Sequence, residues 1–169
     1  MPDSLEVRIE LALTRLGFSY QDVSDPEDVA VLAAYFTETM SDRGDSIPLL
    51  VTLSREKRDV WVQGGVALLG LADQPDEWLN EAIARLDADL QHAPASLFAR
   101  FKMPRFRARG FRANVSWSAA QRRIVAGVII PSREFSSAVL DNSIRLVAHL
   151  GPTALEALLL ARQKESQSG

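Results

Sequence analysis

Cysteine is absent from the 169 residues, and histidine and tyrosine occur only twice each. Without cysteine there is no disulfide framework, no thiolate nucleophile and no Cys-based zinc or iron–sulfur site, which fits a reducing cytoplasm. His92 and His149 lie 57 residues apart with no thiolate to help them, so they do not suggest a zinc site. Each sits near the end of an expected helix, where the helix dipole favours a cation. Long apolar runs are missing too. Val66–Ala72 and Ile124–Ile130 are the longest at seven residues each, too short to span a bilayer. The opening Met1-Pro2-Asp3-Ser4 is polar and does not read as a signal peptide. G-x-x-x-x-G-K-[ST], G-x-G-x-x-G and G-x-S-x-G are all absent. The acids Asp73, Asp76, Glu77, Asp87 and Asp89 sit among other solvated charges, as helix surface or first-turn acids do. The sequence therefore names no reaction and no cofactor, and a non-enzymatic protein is expected.

One local absence is more informative. From Leu90 to Arg133 there is no acidic residue, although Arg100, Lys102, Arg105, Arg107, Arg109, Arg112, Arg122, Arg123 and Arg133 all fall there. The chain as a whole carries −3. Residues 1–98 hold 7 Lys+Arg against 18 Asp+Glu, a net of −11, and residues 99–169 hold 12 against 4, a net of +8. Such a charge dipole marks a binding surface more often than an active site.

Hydrophobic periodicity predicts a helix over 4–16, with Leu5, Ile9, Ala12, Leu13 and Leu16 on one stripe, Ser4 as N-cap and Gly17 as the stop. Residues 26–41 are open to two readings. Asp25-Pro26-Glu27-Asp28 looks like a helix start and favours helix locally, while Val31–Thr37 also fits a half-buried strand. Ile47–Ser54 and Asp59–Val66 read as a β-hairpin, with Gly64-Gly65 ending the pattern or forming a bulge. A helix is expected over 75–91. Phe111–Trp117 and Arg122–Ile130 read as a second hairpin. A helix of about 133–150 is expected to stop at Gly151-Pro152, a last helix to open at Thr153, and the tail 162–169 to fray. Strand pairs separated by a helix imply one α+β domain over 1–169, an antiparallel sheet of two hairpin units with helices on one face.

Around Pro104 the basic residues alternate with apolar ones. Arg100 and Lys102 share one parity, and Arg105, Arg107 and Arg109 share the other, so each half of an extended chain would show a basic face. Proline confines this arm, about 92–110, to an edge strand or a free segment. Three readings are open: an edge defended by charge, a surface for an acidic partner or a second copy, and a single-strand nucleic-acid contact in which arginines meet phosphates and phenylalanines stack on bases.

The element order, with hairpin 47–66, helix 75–91, hairpin 111–130 and the closing Asn142–Leu150, resembles the YbjN-like family, itself similar in fold to the type III secretion chaperones. The resemblance implies a homodimeric, non-enzymatic protein-binding module. It also implies a strand within about 30–40 and makes the arm an insertion. The preferred expectation is therefore a cytoplasmic, homodimeric chaperone-like adaptor, off the membrane, that binds an as yet unidentified partner protein. The alternative is a nucleic-acid-associated protein using 99–112. Partner contacts are assigned to Arg100, Lys102, Arg105, Phe106, Arg107, Arg109, Phe111 and Arg112, and the dimer interface to Trp61, Trp117 and Val128.

Overall fold

The computed structural model describes residues 4–41, 44–68, 70–92 and 112–168. The chain runs α1 (Leu5–Arg15), β1 (Tyr20–Asp22), β2 (Val31–Met40), β3 (Ser46–Ser54), β4 (Val60–Ala67), α2 (Asp76–His92), β5 (Arg112–Ser118), β6 (Arg123–Ile130), a 3₁₀ turn (Ser132–Glu134) and α3 (Ser137–Ser168). The six strands form one sheet in the order β1-β2-β3-β4-β6-β5, every neighbouring pair antiparallel. The fold is α+β.

Alternation decides which side of the sheet is covered. Tyr35, Val51, Val62 and Val128 lie in one row across four strands and are all buried. Leu49, Gly64, Ala126 and Val115 form the next row on the same side. α3 crosses this face: a Cβ on Gly64 would meet Val147, and one on Gly151 would meet Val66 Cγ2. Only glycine permits so close an approach of helix and sheet. α1 and α2 pack against α3 on the same side. Ile9 and Leu13 of α1 and Leu79 and Ile83 of α2 join the core there. Ser4 caps α1 by accepting from Val7 N–H, and Gly17, at φ +83°, ends it.

One open reading is resolved and two expectations need correction. Residues 31–40, open between helix and strand, are strand. Val31, Tyr35, Thr37 and Thr39 pair with β3 along its length, and the Asp25 and Asp28 carboxylates accept from N–H groups of Glu27, Ala30 and Val31, which makes a turn where a helix start was expected. Gly64 and Gly65 keep regular register with Ala126 and Val125, so they neither end β4 nor bulge it. The two closing helices are one. Pro152 removes an N–H, yet Leu146, Val147, Leu150 and Gly151 before it and Ala154 and Leu158 after it are buried, and this packing outweighs the local penalty of about 3 kcal/mol. α3 runs to Ser168, and Arg162 donates to Gly70 O at 2.6 Å and to Asp73 at 3.2 Å. By length and composition alone α3 could cross a bilayer, but half of its apolar window is buried in the fold, as in a core helix.

Candidate partner-binding site

Because the three helices lie on one side, the opposite face of the sheet meets no described helix. Its centre is apolar. Thr52, Trp61 and Ile129 sit side by side in one row, and Leu50 and Gln63 in the next, beside Phe36. Val125 and Pro48 extend the patch, and all but Phe36, which is exposed, are half-buried. The indole N–H of Trp61 is solvent-inaccessible and has no hydrogen-bond partner among the described residues. Such a group carries an unrecovered desolvation cost. Trp117, whose indole N–H is likewise unpartnered, lies on the helix side with the Arg122 guanidinium 5.7 Å from its ring centroid.

The two edges of the sheet are built differently. At β5, α2 supplies the missing partners: Asp87 accepts from Val115 N–H at 2.9 Å, and Gln91 donates to Ala113 O at 2.7 Å. At the other end, β1 pairs with only Tyr35, Phe36 and Thr37 of the ten-residue β2. Ser24 continues the pairing briefly, its hydroxyl accepting from Ala34 N–H at 2.9 Å. Beyond Thr37, the stretch Glu38–Met40 extends past β1. An open cleft of about 510 Å³ lies against the start of β1, lined by Phe18, Tyr20, Gln21, Phe36 and Glu38 among others.

Chemistry and shape coincide at this edge. Four of the six exposed large hydrophobics among the described residues belong to β2 and the connection into it: Val23 and Val29, at 87% exposure, before its Val31 end, and Phe36 and Met40, at 63%, along the strand. Described residues from Gly17 to Ile47 carry the carboxylates Asp22, Asp25, Glu27, Asp28, Glu38 and Asp45 and no Lys or Arg. The Ser24 hydroxyl, then its N–H, hydrogen-bonds Asp22 and holds its carboxyl below the usual aspartate range. Behind the edge, burial first and then a hydrogen bond to the Glu10 carboxylate push the Tyr35 hydroxyl far above its ordinary pKa. Tyr35 therefore stays neutral and stacks edge-on to Tyr20, with ring centroids 5.7 Å apart.

Of the residues assigned from sequence, Arg100, Lys102, Arg105, Phe106, Arg107, Arg109 and Phe111 lie outside the described residues, and Arg112 opens β5. Trp61, Trp117 and Val128 do not form one surface. Val128 is core, 1% exposed, and Trp117 shares its side, whereas Trp61 faces away. Ile129, one residue on from Val128, is the position that shares Trp61's row. Sequence reasoning missed Phe36, Glu38 and Met40. Read as a strand, their common parity would have placed them on one outward face.

Little else gathers side chains. A shallow groove of about 200 Å³ between α2 and α3 is lined by Trp78, Ala82, Leu86, Ala157 and Ala161 with charges at its rim. Trp78 Nε1 donates to Glu165 there. Among the described residues no cluster of three or more His, Cys, Asp or Glu is arranged to hold a metal. Comparison with known proteins gives no matching family model, no matching curated protein and no matching solved structure.

Proposed function

We propose that this chain is a non-enzymatic, homodimeric chaperone-like adaptor of the cytoplasm that holds a partner protein through apolar and charged surfaces. The observation that carries this reading is the sheet face bearing Leu50, Trp61, Val125 and Ile129, opposite all three helices. Half-exposed apolar side chains grouped on a sheet face that no described helix covers suit an interface. Two such faces can stack about a two-fold axis parallel to the strands. That axis lays the β1/β2 edge of one copy against the β5 edge of the other.

Light scattering tests this. At micromolar concentration the chain should run at twice its 18.6 kDa. Leu50→Asp with Ile129→Asp should weaken the dimer by about a hundredfold or more, since two charges would be buried unpaired. A wild-type monomer, or a double variant that dimerises as well as the wild type, refutes the stacked-face dimer. Titration with labelled single-stranded oligonucleotide at low salt should give no shift. Binding that disappears on changing Arg105, Arg107 and Arg109 to Glu would favour the nucleic-acid alternative instead.

A further inference from the structure

We propose that the segment from residue 99 up to the start of β5 of a second copy of this chain docks in extended form on the acidic β1/β2 edge, beside Glu38–Met40 and against Phe36. The inference rests on the homodimer reading above and names the contact that completes it.

The edge specifies its ligand by chemistry. An unfinished strand edge accepts an extended segment through backbone hydrogen bonds. Along this edge Asp22, Asp25, Glu27 and Asp28 lie toward the Val31 end of β2 and Glu38 and Asp45 toward the Met40 end, and these carboxylates call for cations. Exposed Val23, Phe36 and Met40 call for apolar side chains between them. The ligand is thus an extended stretch in which basic and apolar residues alternate. This chain contains one, with Arg100, Lys102, Arg105, Arg107, Arg109 and Arg112 interleaved with Phe101, Phe106 and Phe111.

Geometry places the contact between copies. Gln91 bonds to Ala113, so both anchors of the segment 93–111, at His92 and Arg112, lie together on the β5 edge. In the strand order, β1 is the opposite edge. Five spacings of about 4.8 Å make that about 24 Å away, which takes about seven extended residues out and seven back. Within one copy only about five of the 19 residues would remain for the edge, and Arg105, Arg107 and Arg109 would be in transit across the sheet. In the stacked dimer the β5 edge of each copy lies over the β1/β2 edge of the other. The arm then reaches its site without crossing its own sheet, and symmetry makes the contact twice.

Charge exchange tests this. One variant carries Arg105→Glu, Arg107→Glu and Arg109→Glu. The other carries Glu27→Lys, Glu38→Lys and Asp45→Lys, all exposed positions. Each alone should weaken self-association at least about tenfold at low salt, and the loss should shrink at high salt. An equimolar mixture should form heterodimers within about threefold of wild-type affinity, because both contacts are then attractive. A mixture no tighter than its parents overturns the proposal. A labelled peptide of residues 99–112 should bind the Leu50→Asp/Ile129→Asp chain and fail to bind when the edge substitutions are added. Equal binding to both overturns it even if a triple variant misfolds. A wild-type dimer that ignores salt and both triple variants sinks the arm–edge contact but leaves the stacked faces. A chain monomeric throughout sinks the homodimer, and the arm–edge contact then stands or falls on the peptide.

Discussion

The two edges of this sheet solve one problem in opposite ways. An edge strand presents unpaired N–H and C=O groups that invite another chain. At β5 the helix α2 answers them, with Asp87 on Val115 N–H and Gln91 on Ala113 O. At the far end β1 covers three residues of β2 and then stops, leaving Glu38–Met40 beside a cleft. The sealed edge is flanked in sequence by the basic stretch, and the open edge is acidic. Exposed apolar side chains gather at the open edge, where a merely defended edge would carry Lys or Pro. The contrast separates an edge sealed by a helix from one left partly open.

The largest expected effect comes from unsealing β5. Asp87→Ala with Gln91→Ala leaves a backbone donor and a backbone acceptor without partners. The loss should be about 2–3 kcal/mol in urea unfolding, after the better helix propensity of alanine offsets a few tenths. The variant should also self-associate more than the wild type. A loss under about 0.5 kcal/mol would mean that the sealing contacts are incidental and would erase the contrast.

A matched change at the open edge should cost less. Ser24→Ala removes the hydroxyl that accepts from Ala34 N–H, where water can substitute, and about 1 kcal/mol is expected. If Ser24→Ala costs as much as the double change at β5, the two edges are equally held and the β1 side is not the receptive one. Urea midpoints of both variants, compared at constant slope, decide it.

Parts of this contrast were legible in the sequence. Both hairpins showed because alternation and polar turns are local signals, as at Leu49, Val51 and Leu53 and again at Val60 and Val62. α2 showed through Leu79, Ile83, Leu86 and Leu90 at helical spacing. β2 did not, because Asp25-Pro26 imitates a helix start and Leu32, Ala33, Phe36 and Met40 fit both periods. Its pairing with β3 decided the matter, and that is a tertiary interaction. Alternation also separated Trp61 from Val60 and Val62, but nothing local says which side a helix will cover, so Val128 was assigned to a surface and Ile129 overlooked. The sealing of β5 links residues 28 and 22 positions apart, beyond any local pattern. The arm's chemistry was legible, and the open edge at Glu38–Met40 was not, because that edge exists only once β1 stops short.

The smallest effect tests how lightly β1 is held. Asp22 ends that strand, and Ser24 keeps its carboxyl pKa below the ordinary aspartate value. A folded-state pKa below the unfolded one stabilises the fold fully above the unfolded value and is lost as pH falls through the folded value. The window therefore lies below about pH 4, where wild-type stability should fall. Asp22 is exposed, so solvent screening keeps the contribution under about 0.5 kcal/mol. Asp22→Asn keeps an acceptor for Ser24 N–H but has no charge to lose. It should match the wild type within a few tenths of a kcal/mol at neutral pH and show a shallower decline between about pH 4 and pH 2. Urea midpoints across that range provide the measurement. A neutral-pH loss above about 1 kcal/mol would make β1 a firm cap on β2, and an edge so firmly capped would have to shed β1 before it could accept another strand.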